Sequence, residues 1–306
     1  METKPVTVFG GSGFLGRQIV KHLAEAGYGV RVAVRHPDRA TFLSGSGPDG
    51  GIELVQADVW NEATVARAVE GSASVVNTVG HYVEKGGGTF DKVHGQGALH
   101  VARQAMQAEA ERLVHISGVG AHPGSPSPYV RARGIGETLV KDAFDGVTIL
   151  RPSVIFGPGD SFLNTLARMT QQFPIMPLFG TGSTRLQPVF VGNVAEACIR
   201  VLADPSTRGR VYELGGPRIY TYRELVRLVR DRVAGRALMV PCPFLVWDVL
   251  AAAMAAHPNP PLTRDQVTLM KRDNVIDDQA STLDDLGIRP VSVEEAMPTC
   301  IDAVPS

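Results

Sequence analysis

The 306-residue chain predicts an α/β fold, a doubly wound parallel sheet with a small C-terminal α/β lobe. Three observations carry this. Short apolar runs alternate with amphipathic helical periods through the first half, the pattern of βαβ units. A strand-like run, Val6–Phe9, feeds into glycines at Gly10, Gly13 and Gly16 and then into a helical period. The length slightly exceeds the ~250–300 residues at which a single core tends to divide.

In order, Val6–Phe9, Val30–Val34, Ile52–Gln56, Ser74–Val79, Leu113–Ser117 and Val147–Leu150 read as buried strands, each apolar and bounded by Gly, Asp or Pro. Between them, Phe14–Ala26, Glu62–Glu70, Phe90–Gln107 and Tyr129–Phe144 read as helices, and alternation of the two predicts right-handed crossovers onto both sheet faces. Ser44–Gly51 and Lys85–Gly88 are surface turns. Beyond Arg151 the pattern loosens: helices at Phe162–Gln172 and Val194–Leu202, strands at Val189–Val191 and Val211–Leu214. Thr221–Val233 is a helix opened by a capping box of Thr221 and Glu224. FPIMP and HPNPP cannot be long regular elements. The expected division is 1–155 for a nucleotide-binding domain and 156–306 for a smaller lobe interleaved with the last strands.

Composition excludes several classes. The chain holds 30 Lys+Arg against 31 Asp+Glu, so bulk charge does not hold it on nucleic acid. Cys198, Cys242 and Cys300 lie far apart with no Cys/His cluster, which argues against zinc and for a reducing compartment. Strand-like sequence begins by Val6, leaving no room for a signal peptide or presequence. Leu238–Ala256 is the most apolar stretch, yet Pro241, Pro243 and Asp248 interrupt it, against the ~20 apolar residues a spanning helix needs.

The run Val6 to Gly16 is the strongest local signal for a Rossmann-like site. Gly10 permits the tight turn, Gly13 lets backbone approach a pyrophosphate, and Gly16 allows close packing of helix on sheet. The helix opening at Phe14 and Leu15, after Ser12, offers free N–H groups and a positive dipole end to an anion. At the end of the second strand, where an NAD site carries an acidic residue, stands Arg35, with Arg39 a turn later. A guanidinium holds a 2′-phosphate by a charged fork, so the site is expected to take NADPH. Asp58 is placed either to accept from the adenine amino group or to cap the following helix.

These residues resemble the short-chain dehydrogenase/reductase superfamily in its extended and atypical branches. The later segments ILRPSVIFGPGD, QPVFVGNVAEA and ELGGP extend the resemblance, with Asn193 where Asp is usual. VTVFGGSGFLGRQIV, VRVAVRHPD, IELVQADV, RLVHISGVGA, SPYVRARGIGE and NPPLTRDQV further resemble the nucleotide-binding accessory subunits of respiratory complex I, to about Pro298. The resemblance implies cofactor contacts at Gly10, Ser12, Gly13, Phe14, Leu15, Gly16, Arg35, Asp58, Val59, Val79, Gly80, Ser117, Tyr129, Arg133 and Pro152.

In that superfamily a Tyr serves as acid/base, a Lys four residues on holds the nicotinamide ribose, and a Ser polarises the carbonyl. Tyr129 and Arg133 occupy the Tyr-xxx-Lys spacing, on one helix face, and Ser117 is the matching hydroxyl. Arginine keeps the charge but is bulkier, planar and effectively never deprotonated, so this altered triad is expected to be inactive. His81 reads as a polar loop residue, and His94 as a satisfied core histidine.

Phe244–Ala256 is a helix apolar almost all round, to be buried in the lobe, docked on a partner, or laid on a membrane. Arg223, Arg227 and Arg230 form one basic helix face, attractive to an anionic membrane surface. The resemblance implies an accessory, non-catalytic subunit of NADH:quinone oxidoreductase, bound to its other subunits. It implies a peripheral position on the cytoplasmic side of a bacterial inner membrane, or on the matrix side for a processed mitochondrial chain. The alternatives are a free-standing NADPH-dependent reductase or epimerase, and an NADPH-sensing module.

Overall fold

The computed structural model describes residues 4–44, 51–84, 87–255, 257, 260 and 262–301. Most of the turn expected at Ser44–Gly51, part of that at Lys85–Gly88 and most of HPNPP lie outside the described residues. The elements in chain order are β1 Val6–Phe9, α1 Phe14–Glu25, β2 Val30–Val34, β3 Ile52–Gln56, α2 Glu62–Val69, β4 Ser74–Asn77, α3 Ala98–Gln107, β5 Arg112–Ile116, α4 Pro128–Ala143 and β6 Thr148–Pro152. There follow β7 Ile155–Phe156, α5 Phe162–Gln172, β8 Ile175–Phe179, β9 Arg185–Leu186, β10 Val189–Phe190, α6 Val191–Ala203 and β11 Val211–Leu214. Last come β12 Tyr220–Thr221, α7 Tyr222–Arg232, β13 Leu238–Cys242, α8 Phe244–Met254, α9 Arg264–Met270 and α10 Val293–Cys300.

The chain divides into two compact units. The first comprises Met1–Pro152, Gly192–Glu213 and Gln279–Ile288. Its seven-stranded sheet has the order β11-β6-β5-β4-β1-β2-β3, and the chain reverses its direction of travel between β1 and β4. The pairs β1–β2, β2–β3, β1–β4, β4–β5 and β5–β6 are parallel. All four residues of β1 are buried, as a strand covered on both faces requires. α1 buries Leu15, Ile19, Val20 and Leu23 at helical spacing and ends where Gly27 adopts a positive φ of 82°. Phe9, Val65, Val101, Leu113, Val140 and Ile149 anchor one core.

Two local differences from the sequence reading bear on the site. Asp91–Gly97 is wound as a π-helix before α3 begins, where one uninterrupted helix from Phe90 was expected. Such wide turns recur at functional sites. α4 opens one residue earlier than expected: Ser127 caps Val130 N–H, and Pro128 takes the first turn, where its missing donor costs nothing.

The second unit comprises Ser153–Val191, Leu214–Asp278 and Arg289–Ser306. It carries three two-stranded sheets, β7–β10, β9–β12 and β8–β13. Phe156, Leu163, Leu178, Leu225, Val229 and Met297 belong to its core. The capping box of Thr221 and Glu224 is present at α7. FPIMP contributes to the five-residue strand β8, with Pro177 facing Val240 across the β13 pair.

Candidate functional site

The order of strands puts a switch point between β1 and β4, and ligands of open parallel sheets bind outside the carboxyl ends of such strands. The glycine turn lies there. Gly10 has φ +76°, and a Cβ on it would stand 2.8 Å from Thr78 Oγ1. A Cβ on Gly16 would stand 2.2 Å from the Gly10 carbonyl oxygen, so α1 opens against the turn with no room for a side chain. Thr78 holds the neighbouring loop by donating Oγ1–H to the Phe9 carbonyl at 2.7 Å. Gly13 is the N-cap of α1 and supplies no side-chain cap, which leaves the first-turn N–H groups to an anion. Ser12 and Gly13 are exposed, Phe14 is half-buried beneath the Arg17 guanidinium, and Leu15 and Gly16 are buried.

Arg35 is exposed at the end of β2, its guanidinium 5.9 Å from the centroid of the Trp60 ring. Asp58 Oδ1 accepts from Trp60 N–H at 3.0 Å, a turn that fixes the indole. The N-cap reading of Asp58 is corrected: the residue before α2 is Asn61. Val59 is buried, and its carbonyl pairs with His100 Nδ1 at 2.8 Å. Trp60 carried one sequence signal that went unread, an aromatic residue placed directly after the Asp-Val pair.

At the other end of the switch point, Val79, Gly80, Ser117, Tyr129, Arg133 and Pro152 come together. Arg133 Nη1 donates to the Ser117 carbonyl, and its guanidinium carbon lies 4.8 Å from the Tyr129 ring centroid. Val79 N–H is held by Asn77 Oδ1 at 3.1 Å, and the Pro152 carbonyl accepts from Val119 N–H at 3.1 Å. Tyr129 sits in a ring cluster, with centroids 5.1 Å from Tyr82, 5.5 Å from Phe90 and 5.4 Å from His94. Sequence reasoning missed Tyr82, Phe90 and Gly118 here, because no periodicity links residues from four separate loops and helices.

The sequence matches the NAD dependent epimerase/dehydratase family over residues 6–215. The chain belongs to the NAD dependent epimerase/dehydratase family. It also belongs with the alpha subcomplex subunit 9 proteins. It is 30% identical to "NADH dehydrogenase [ubiquinone] 1 alpha subcomplex subunit 9, mitochondrial" of Dictyostelium discoideum over 95% of this chain and 82% of that protein. The protein of the same name in Arabidopsis thaliana is 31% identical, covering 93% of this chain and 74% of its own. Among solved structures, the Citrobacter sp. triphenylmethane reductase complexed with NADP(H) shares the fold. Its TM-score is 0.76 at 17% identity, over 97% of this chain and 100% of that one.

The resemblance described above leads one to expect a lysine at position 133, where the chain has Arg133. Beneath it lie two buried imidazoles. His94 Nε2 pairs with the His81 carbonyl at 3.1 Å, and His115 Nδ1 pairs with Asn77 Nδ2 at 3.3 Å. Burial pushes His115 down to about 4, and Arg133 adds to the depression while Glu137 opposes it. Burial, reinforced by Arg133, pushes His94 down to about 2. Both are therefore neutral in the folded chain at pH 7. Unfolded, each takes up a proton near pH 6.5.

A group whose folded pKa is depressed and whose cationic form belongs to the unfolded chain destabilises the fold as pH falls below the unfolded value. Stability is expected to fall by about 4 kcal/mol between pH 7 and pH 5, at about 1.4 kcal/mol per pH unit for each histidine once the pH is below about 6.5. Urea midpoints across that range measure it, and His115→Asn should remove about half the slope. A midpoint independent of pH over this interval contradicts the assignment.

Among the described residues no helix is long and apolar enough to cross a membrane. Also among them, no cluster of three His, Cys, Asp or Glu is placed for a metal ion.

Proposed function

We propose that this chain is an accessory, non-catalytic subunit of NADH:quinone oxidoreductase, respiratory complex I, that holds NADPH as a structural brace. The observation that carries the reading is its likeness to subunit 9 proteins at 30% identity over 95% of its length. NADPH rather than NADH is supported by Arg35, exposed beside Trp60 where an NAD site carries an acid.

The residues fit the dinucleotide. The uncapped opening of α1 from Gly10 to Gly16 would hold the pyrophosphate, and Arg35 the 2′-phosphate. Asp58 and Val59 would border the adenine. Val79, Gly80, Ser117, Tyr129, Arg133 and Pro152 would border the nicotinamide end. When bound, NADPH offers a hydride there, but Arg133 in place of lysine cannot serve a proton relay. Its contribution is then to stability: a ligand bound only by the folded chain adds about 4 kcal/mol at a thousandfold excess over Kd.

A peripheral seat on the cytoplasmic face of a bacterial inner membrane, or the matrix face of a mitochondrial one, is supported by α8. Burial of this helix in the lobe was one expectation, and it fails: Leu245 is 73% and Val249 62% exposed, and Ala251 is its one buried residue. An exposed apolar helix suits a partner or a membrane interface. Between Arg218 and Arg272 the sequence has nine Arg or Lys against four Asp or Glu, which favours an anionic surface. Arg223 and Arg230 are partly engaged, with the Thr181 carbonyl and Asp231, leaving Arg227 as the exposed member of the expected basic face.

The retained Ser117 and Tyr129 favour a second reading, a free-standing NADPH-dependent reductase or epimerase. One purification separates the two. Affinity isolation of the native protein from solubilised membranes should recover quinone oxidoreductase subunits and, by mass spectrometry, released NADPH or NADP. Recovery of the chain alone from the soluble fraction, or with NAD(H), overturns the proposal.

A further inference from the structure

The nicotinamide end of the site contains a packing arrangement that exchanging one cation for another does not explain. Among the described residues, Ser117 Oγ and Arg133 Nε are both buried and have no hydrogen-bond partner. Ser117 as a whole is 1% exposed. Leaving a buried donor unpaired is costly, so something else must hold the guanidinium there. Its Nη1 donates to the Ser117 carbonyl, and its central carbon lies over the Tyr129 ring at 4.8 Å and over the Tyr82 ring at 6.0 Å from the centroids.

The seat depends on Gly118. A Cβ on Gly118 would stand 2.9 Å from Arg133 Nη1 and 3.6 Å from its central carbon. On the other side a Cβ at Gly80 would stand 3.6 Å from Nη2, an ordinary contact, and 3.0 Å from His94 Cε1. The guanidinium thus lies between Gly80 and Gly118, in the notch that Gly118 leaves between the loops after β4 and β5.

We infer that Arg133 is a specificity-determining cover: seated in the Gly80–Gly118 notch, it shuts the Ser117 hydroxyl off from any carbonyl substrate. This deepens the non-catalytic reading above, on which it rests. The ligand class refused is the small ketone or quinone that would have to reach that hydroxyl. A lysine in the same place has no planar group to stack on Tyr129 and bridge both loops, so it leaves the hydroxyl uncovered.

The test reads access to position 117 rather than turnover. In a full-length Cys242→Ser background stripped of nucleotide, Ser117→Cys is labelled with a maleimide at fixed pH. It is then compared with the same chain carrying Arg133→Ala, Arg133→Lys or Gly118→Ala. The last displaces the end of a flexible side chain and leaves Arg133 itself in the chain. Labelling is expected to rise about tenfold or more in all three. The direction is diagnostic, because removing a neighbouring cation raises a thiol's pKa and by itself slows labelling.

Cys198 and Cys300 are buried free thiols and report loosening of the fold. Faster labelling at position 117 with both of these still protected supports the cover. Equal rates with and without Arg133 overturn it, as does a parallel rise at all three thiols in every variant, which makes Arg133 a packing residue. Neither result depends on the nucleotide or subunits recovered in the membrane purification, so the two proposals fail separately.

Discussion

Gly136→Ala is expected to destabilise the first unit by about 3 kcal/mol or more, the upper range for overpacking. Helix propensity alone argues the opposite. Gly136 lies inside α4, where alanine is about 1 kcal/mol better than glycine. The tertiary contact decides the sign. A Cβ at Gly136 would stand 1.9 Å from the His94 carbonyl oxygen and 3.0 Å from its carbon. These are backbone atoms of the π-helix, with no rotamer by which to yield. Gly134 meets a different neighbour in the same way, its Cβ position 2.4 Å from the His122 carbonyl carbon.

Relieving either clash pushes α4 outward, carrying Tyr129 and Arg133 with it, so nucleotide affinity should fall together with stability. Urea denaturation of the variant measures the first effect and NADPH titration the second. Ile135→Ala, at a residue 38% exposed between the two glycines, is the control and should shift stability by no more than about 0.5 kcal/mol. A Gly136→Ala protein as stable as its parent would mean that α4 does not approach the π-helix this closely.

The second large effect concerns Arg151. Its Nε and Nη2 donate to the two oxygens of Glu137 at 2.9 and 2.6 Å, and Nη1 donates to Glu213 at 3.2 Å. The forked pair raises the Arg151 pKa above its ordinary value, against the pull of burial. Glu137 is 3% and Glu213 7% exposed. Arg151→Ala removes the one cation shared by two buried carboxylates and should cost about 3–5 kcal/mol at neutral pH.

The difference in urea midpoint between the two proteins at pH 7.5 measures the loss. Adding Glu137→Gln should return part of the loss. A double variant no more stable than Arg151→Ala would assign the damage to lost packing volume. The triad joins α4, β6 and β11, with Glu137 one turn beyond Arg133 on α4, so this variant also probes how firmly that face is mounted.

The division between what sequence reasoning reached and what it missed follows the range of the physics. β1 and the helix after it were legible because a buried parallel strand must be apolar throughout, and a glycine turn at a helix opening is local in the chain. The capping box at Thr221 and Glu224 spans three residues and was read correctly for the same reason. Arg35 and the Tyr129–Arg133 spacing were also available, since each follows from position at the end of one strand or along one helix.

Other features arise only when distant segments meet. The π-helix at Asp91–Gly97 reads in sequence as the start of an ordinary helix, and it coincides with the approach of Gly136 to the His94 carbonyl. The ring cluster around Tyr129, the notch of Gly80 and Gly118, and the Glu137–Arg151–Glu213 triad each join residues from separate strands and loops. The exposure of α8 belongs with them. Its sequence is apolar on nearly every side, which equally suits a buried helix, and only the packing of the second unit left Leu245 and Val249 facing outward. Periodicity and local backbone preference act over a few residues, and so they could set the sheet, the glycine turn and the expected cofactor. Burial and steric fit act across the folded molecule, and these determined which side chains line the site and which surface stays open.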